Sequence, residues 1–334
     1  MNRTELLKRT GMISQYAGIV PFTYSDGKAD GVSAYRVKTG SGLEFTVLKD
    51  RALDIFEATY KGTNLSFVTR NGLLSSKYFY SNPGSFDAMM SGGLFFTAGL
   101  RNSGNPGEIN GLFYPQHGRV HSTPATEGYA KSTWVSEDEL AFEIGGDMHD
   151  SMIESSLIMH RKIETKMDTS EIIITDTIEN PECFEQDFAL LYHINMGFPF
   201  IDEDAHIIID KPYEISPFYD FDKQTVDSHK EFCAPESVPE RNYILDVEAE
   251  DDGFSVVKVE SPNRKFGVYI KARKDTLPYF NEWKCVQPGV YTLAVEPSNN
   301  TLCGIVKEKE KGTMKTIAPY EKIEHKVIFG IYDL

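Results

Sequence analysis

Cysteine is scarce in this chain: Cys183, Cys233, Cys285 and Cys303 are the only four in 334 residues, and none stands in a C-x-x-C pair. That usage suits reduced thiols, each serving as a small buried hydrophobe. No stretch of eighteen apolar residues is present to span a membrane. The opening MNRTELLKRTGM is basic but has no apolar core, so it does not read as a secretory signal. These absences together imply a cytoplasmic protein. Basic clusters are missing too, with 34 Lys and Arg set against 50 Asp and Glu for a formal charge of −16. Without a basic patch a protein cannot displace counterions from phosphates, which argues against a nucleic-acid partner. The same acidity disfavours anionic membranes and phosphorylated or acidic sugars, unless Arg101 and Arg119 form a local positive patch. A neutral sugar is compatible with it.

What is present is ordinary for a folded protein, with 40 % hydrophobic and 25 % charged residues. The length allows a single domain over 1–334 if it is a large β sandwich. Residues Asn2 to Tyr16 read as a short N-terminal helix carried by Leu6, Leu7 and Ile13, within an extension of about twenty residues. Beyond it, short β-branched and aromatic runs alternate with Gly, Asn, Asp and Pro. Strands are expected at Leu43–Leu48, Phe188–Asn195, Phe266–Ala272, Val290–Val295 and Lys326–Tyr332. Ser155–Thr165 and Ser170–Ile178 should pair as a hairpin around Met167-Asp168-Thr169. No helical stripe rivals these, so the fold class is all-β, a large antiparallel sandwich. Pro212 to Arg241 reads as a long surface loop.

Three segments could carry chemistry. In Leu190 to Pro199, His193 ends an apolar strand just before the turn at Gly197 and Pro199. A histidine there can give or take a proton near neutral pH; the alternative is a core histidine satisfied by a neighbour. In Val290 to Pro297, alternation puts Glu296 on a face of small residues with Val290, Thr292 and Ala294. Partial desolvation would raise its pKa toward that of a general base; the alternative is a strand-end carboxylate in water. In Gln116 to His121, an extended chain would point His117, Arg119 and His121 to one side, to grip hydroxyls or, with a third ligand, a metal. Arg51 and Asp54 could stand together after a strand, and the Trp283 indole could stack on a sugar ring.

The order of these short motifs resembles the galactose-mutarotase-like superfamily, in its bacterial branch of aldose-1-epimerase-like proteins. The pieces are Asp50-Arg51-Ala52-Leu53-Asp54-Ile55, Gly92-Gly93, Gly99-Leu100-Arg101-Asn102, His117-Gly118-Arg119, Asp176 to Asn180, Leu190 to Pro199, Pro278 to Lys284, Val295-Glu296-Pro297 and Ile317 to Glu321. The likeness runs from about Val47 to the C-terminus. It implies a β-supersandwich with its site in an open cleft on one sheet. It implies interconversion of the α and β anomers of a free sugar, with His193 as general acid and Glu296 as general base. It further implies His117 as a sugar contact, Arg101 as a substrate-binding arginine, and no metal or organic cofactor. Arg119 and His121 would help hold hydroxyls, and a homodimer is compatible with the family. Two departures bear on the identity of the sugar. The histidine motif is Tyr192-His193-Ile194-Asn195 rather than the Asn-His-Thr-Tyr-Phe run of the galactose enzymes, and Tyr320 stands where glycine is usual.

Such a mechanism expects His193 and Glu296 to face each other across a gap the width of a sugar ring. Three rival readings share the same residues: a non-catalytic carbohydrate-binding protein, a glycoside hydrolase or lyase using a spare carboxylate (Asp54, Asp176, Asp187 or Glu282), and a metal site at His117 and His121.

Overall fold

The computed structural model describes residues 1–334. Most of the chain is antiparallel strand, as the alternating β-branched runs require. Five N-terminal strands, Gly18–Thr23, Ser33–Lys38, Leu43–Leu48, Asp54–Tyr60 and Thr63–Asn64, form a sheet in chain order. An eight-stranded sheet runs from His206–Ile208 at one edge, through Lys322–Asp333 and Glu171–Glu179 near its middle, to Thr126–Trp134 at the other. The site-bearing sheet orders Tyr213–Pro217, Arg241–Val247, Tyr279–Gln287, Val290–Ser298 and Gln186–Gly197, with Phe95–Leu100 and Lys315–Ile317 also pairing to the last. No helix is long and apolar enough to cross a membrane.

The expected strands all form, most of them a few residues longer than their apolar cores. The expected hairpin pairs Ser155–Lys166 with Glu171–Glu179, and Asp168 adopts the left-handed conformation in its turn. Two expectations change. The N-terminal helix is only Arg3–Leu7, with Asn2 capping the Glu5 N–H, followed by a single 3-10 turn at Ile13–Gln15. Residues from Gly18 onward already belong to a sheet, because Leu6 and Ala17 are drawn down onto Leu140, Phe142 and Met167. The segment after Pro212 is not a plain loop either: Tyr213–Pro217 adds an edge strand and Asp220–Ser228 is 3-10 helix.

The sheets enclose one large apolar core in which Phe45, Phe95, Tyr192, Ile194, Val295 and Phe329 take part. The Gln186–Gly197 strand is buried along almost its whole length, which explains its nearly unbroken apolar run: both its faces are covered. A buried ion network ties the sheets together beneath it. The Arg161 guanidinium donates to Asp176 (2.6 and 2.9 Å), to Asp54 Oδ1 (2.9 Å) and to the Ala52 carbonyl (2.9 Å). Tyr192 donates its hydroxyl to Asp176 at 2.8 Å, and Asp54 also accepts from the Thr97 amide and hydroxyl. Every charge in the network is thus paired and hydrogen-bonded, as burial demands.

Removing one partner strands the others in the core. Arg161→Leu should destabilise the protein by about 3–5 kcal/mol, read as a lower urea midpoint at unchanged slope; a midpoint within error of the wild type would contradict this role.

Candidate active site

Strand register builds the site. Ile194 pairs with Val295 and Leu191 with Ser298, which sets His193 directly opposite Glu296. Glu296 in turn pairs with Asn281 on its other side, and His193 pairs with Phe96. Directly paired residues in antiparallel strands point to the same face. Phe96, His193, Glu296 and Asn281 therefore form a row across four adjacent strands, on the face away from the apolar core. One step along, Trp283 and Asn242 form the next row.

His193 and Glu296 are 5 % and 2 % exposed, and both line one cleft. Its walls come from elsewhere in the chain: Phe86, Asp87 and Met90 from one segment, Phe218, Tyr219 and Glu240 from another, and His117 with Gln116 from a third. The cleft encloses a volume of about 210 Å³ and opens to solvent at its mouth.

The key distance is 3.1 Å, from His193 Nε2 to Glu296 Oε1. The two groups are thus in contact, not a sugar's width apart as expected. The reason is geometric. Neighbouring strands lie about 4.8 Å apart, so side chains that face each other across one strand gap must meet. A sugar can lie over the pair but not between its members. The 3.1 Å contact is not aligned as a hydrogen bond, so Glu296 Oε1, like His193 Nδ1, is buried without a hydrogen-bond partner in the protein, and such atoms are rare unless something else satisfies them.

Burial works against charge on both groups. It holds the Glu296 carboxyl well above the usual range, with Glu240 adding like-charge repulsion. Burial likewise holds the His193 imidazole well below its usual value, aided by the neighbouring His117 ring and weakly opposed by Asn195. Both shifts favour the neutral forms, with the pair's proton on Glu296.

His117 reaches the cleft by an unusual backbone. It has a positive φ of 57°, and Gly118 follows with φ 71°. A Cβ on Gly118 would stand 2.1 Å from the Gly99 carbonyl oxygen, so only glycine fits. His117 Nδ1 accepts the Gly104 N–H at 3.3 Å, which leaves the proton on Nε2. Its ring centre is 5.6 Å from that of His193. Trp283 packs its edge on His193 at 5.5 Å and donates its indole N–H to Glu240 at 2.8 Å.

The remaining sequence candidates stand elsewhere. His117, Arg119 and His121 do not share a face, because the chain turns at Gly118 and enters a 3-10 helix at Val120–Ser122. His121 stacks on Phe96 and meets the Ser122 hydroxyl at 2.8 Å. Arg51 is buried and donates to the Leu74 carbonyl and the Ser91 hydroxyl. Asp54 belongs to the Arg161 network. Arg101 donates to Gln186 and to the Asp150 carbonyl, and it lines a separate small cavity with Arg119. None of the five lines the cleft. No group of three or more His, Cys, Asp or Glu side chains gathers at His117 or His121.

Several cleft residues escaped the sequence reading. Asn281 could have been found, since it stands two residues before Trp283 and so shares its face. Glu240, Phe218 and Tyr219 carried no signal, lying within what looked like a surface loop. Glu282, one of the spare carboxylates, also borders the cleft; one of its oxygens meets buried His229 at 2.7 Å and the other is buried without a partner.

A family model described as "Domain of unknown function (DUF4432)" matches residues 29–331. The chain belongs to the DUF4432 family. No curated protein matches it in sequence. In structure, this DUF4432 chain resembles a Klebsiella pneumoniae protein provisionally named an aldose 1-epimerase (TM-score 0.88, 17 % identity, 100 % of this chain and 87 % of that one). It also resembles a galactose mutarotase-like protein from Clostridium acetobutylicum (TM-score 0.64, 14 % identity, 96 % and 100 % coverage). A galactose 1-epimerase from Lactobacillus acidophilus aligns at TM-score 0.60 and 11 % identity, over 95 % and 99 % of the two chains. The fold is therefore the galactose mutarotase-like β sandwich.

Burial pushes the His117 imidazole down to about 4. Its ring nitrogens, followed by NMR, should show no protonation between pH 8 and pH 5.5. A midpoint near 6.5 would mean that the ring is solvated and outside the site described.

Proposed function

We propose that this DUF4432 protein interconverts the α and β anomers of a free sugar. The observation that carries the reading is the contact of His193 with Glu296 on the floor of an open cleft. In a cyclic sugar the anomeric hydroxyl oxygen and the ring oxygen are bonded to the same carbon. An acid and a base standing side by side under that carbon can serve both oxygens from one face.

Glu296, in its ionised form, takes the proton of the anomeric hydroxyl. The oxygen left behind becomes a carbonyl as the bond from the anomeric carbon to the ring oxygen breaks. His193, carrying the pair's mobile proton, delivers it to the departing ring oxygen. This requires the proton to cross the 3.1 Å contact from Glu296 to His193 as the sugar settles. Rotation about the bond next to the carbonyl and the reverse transfers close the ring with either configuration, and the pair ends with the one proton it began with. The Nε2–H of His117 can donate to a hydroxyl and orient the ring, and the aromatic side chains of the walls limit access of water. The reaction needs no redox step and no group transfer.

The hydrolase alternative needs a second carboxylate placed about the bond. Of the spare ones, Asp54 and Asp176 are held by Arg161 and Asp187 pairs with Lys309, away from the cleft, whereas Glu282 borders it and pairs with His229.

Glu296→Gln and His193→Asn should each slow catalysed anomer exchange by about 10²–10⁴-fold, measured by NMR saturation transfer over a panel of aldoses and ketoses. Circular dichroism should be unchanged. Full exchange in either variant would remove that residue from the mechanism, and no exchange of any sugar by the wild type would end the proposal.

The pH dependence follows from the same burial. A second proton on the pair must go to His193, whose affinity for it is lowered, so the acid limb of kcat/KM should lie below pH 6.5. Loss of the mobile proton is resisted by Glu296, so the basic limb should lie well above pH 4.5. The two limbs belong to the pair and not to either residue. An acid limb at or above 6.5 would contradict the protonation state described.

A further inference from the structure

We infer that the cleft admits uncharged sugars and rejects anionic ones, with Glu240 at its rim as the residue that sets this preference; the inference rests on the sugar reading of the same cleft. The first argument is charge. No Lys or Arg lines the cleft, while Glu296 lies on its floor and Glu240 and Asp87 stand at its rim. The arginines that could have supplied a positive patch are committed elsewhere, Arg101 to Gln186 and the Asp150 carbonyl, Arg119 to a separate cavity. Lys307 and Lys311 line another cavity beyond Phe218 and Tyr219, together with Glu310.

The second argument is hydrogen-bond accounting. Asn281 uses its amide N–H on Ser298 (2.8 Å), and its Oδ1 is buried without a partner. Glu296 Oε1 is likewise unpartnered. Glu240 spends one oxygen on the Trp283 indole and keeps the other. These are acceptors, and a ligand must bring donors to them. The donors that face them, the His117 Nε2–H, the Asn242 amide, which is buried without a partner, and the Asn105 and Gln116 amides of the wall, are all uncharged. A sugar hydroxyl can donate to every one of these acceptors. A phosphate or carboxylate at neutral pH is chiefly an acceptor, and would set negative charge and lone pairs against the same wall.

Glu240 is solvent-exposed, so its field is screened by salt. That gives the inference a signature that a shape effect would lack. The experiment compares matched sugars: glucose and galactose, their 6-phosphates, and the corresponding uronates. Each is followed by NMR saturation transfer for anomer exchange and, in parallel, by the shift it causes in Tm.

At low salt the anionic members should show about tenfold or lower kcat/KM than their neutral parents, as expected of one or two like charges nearby at a partly solvated site. The gap should narrow at about 0.5 M salt. It should also narrow in Glu240→Gln, whose amide oxygen can still accept the Trp283 N–H. Anionic sugars equal to or better than neutral ones would overturn the inference. So would a gap that neither salt nor Glu240→Gln moves, or a neutral set that neither exchanges nor shifts Tm. A neutral-selective Tm shift without any exchange would instead retire the catalytic reading and leave the charge preference standing.

Discussion

Everything at the site depends on the pairing register of two strands. Gln186–Gly197 and Val290–Ser298 pair so that residues 193 and 296 are directly opposed. A slip of one residue would turn every side chain of a strand to the other face. It would bury His193 in the core and lift Tyr192 or Ile194 into the cleft. The register is guarded from beneath. Tyr192 points down to Asp176 and thereby to Arg161, while Ile194 and Val295 enter the core beside it. Tyr192, which joins the buried ion network, and His193, which faces the cleft, are thus neighbours on one strand with opposite faces, the first anchoring it.

Burial then fixes the electrostatics. A histidine and a carboxylate in water would each titrate independently near their ordinary values. Packed together under Phe96, Trp283 and the His117 ring, they lose the solvation that supports charge. Separate charges become costly, so burial favours the neutral form of each group.

Much of this was legible in the residues. The alternation Val290, Thr292, Ala294, Glu296 gave the glutamate its face, and the apolar run ending at His193 gave the histidine a rigid mount. Both depend only on local chain geometry. The pattern at Gln116 to His121 misled for an equally local reason. Alternation was assumed where Gly118 imposes a left-handed turn, so Arg119 and His121 went elsewhere. Arg51, Asp54 and Arg101 looked like ligand-binding groups because a charged residue near a glycine-rich turn looks the same whether it meets a substrate or a backbone carbonyl. Only the tertiary partners, such as Arg161 for Asp54, distinguish the two. Glu240, Phe218 and Tyr219 were illegible because their place in the cleft depends on how a long excursion folds back over the sheet.

The most direct test of a pair that acts as one unit is a double-mutant cycle on kcat/KM for anomer exchange, using His193→Asn, Glu296→Gln and the combination. Groups that share a proton are lost together, so the double variant should be scarcely slower than the worse single one. Losses that multiply would show two independent residues and contradict the account.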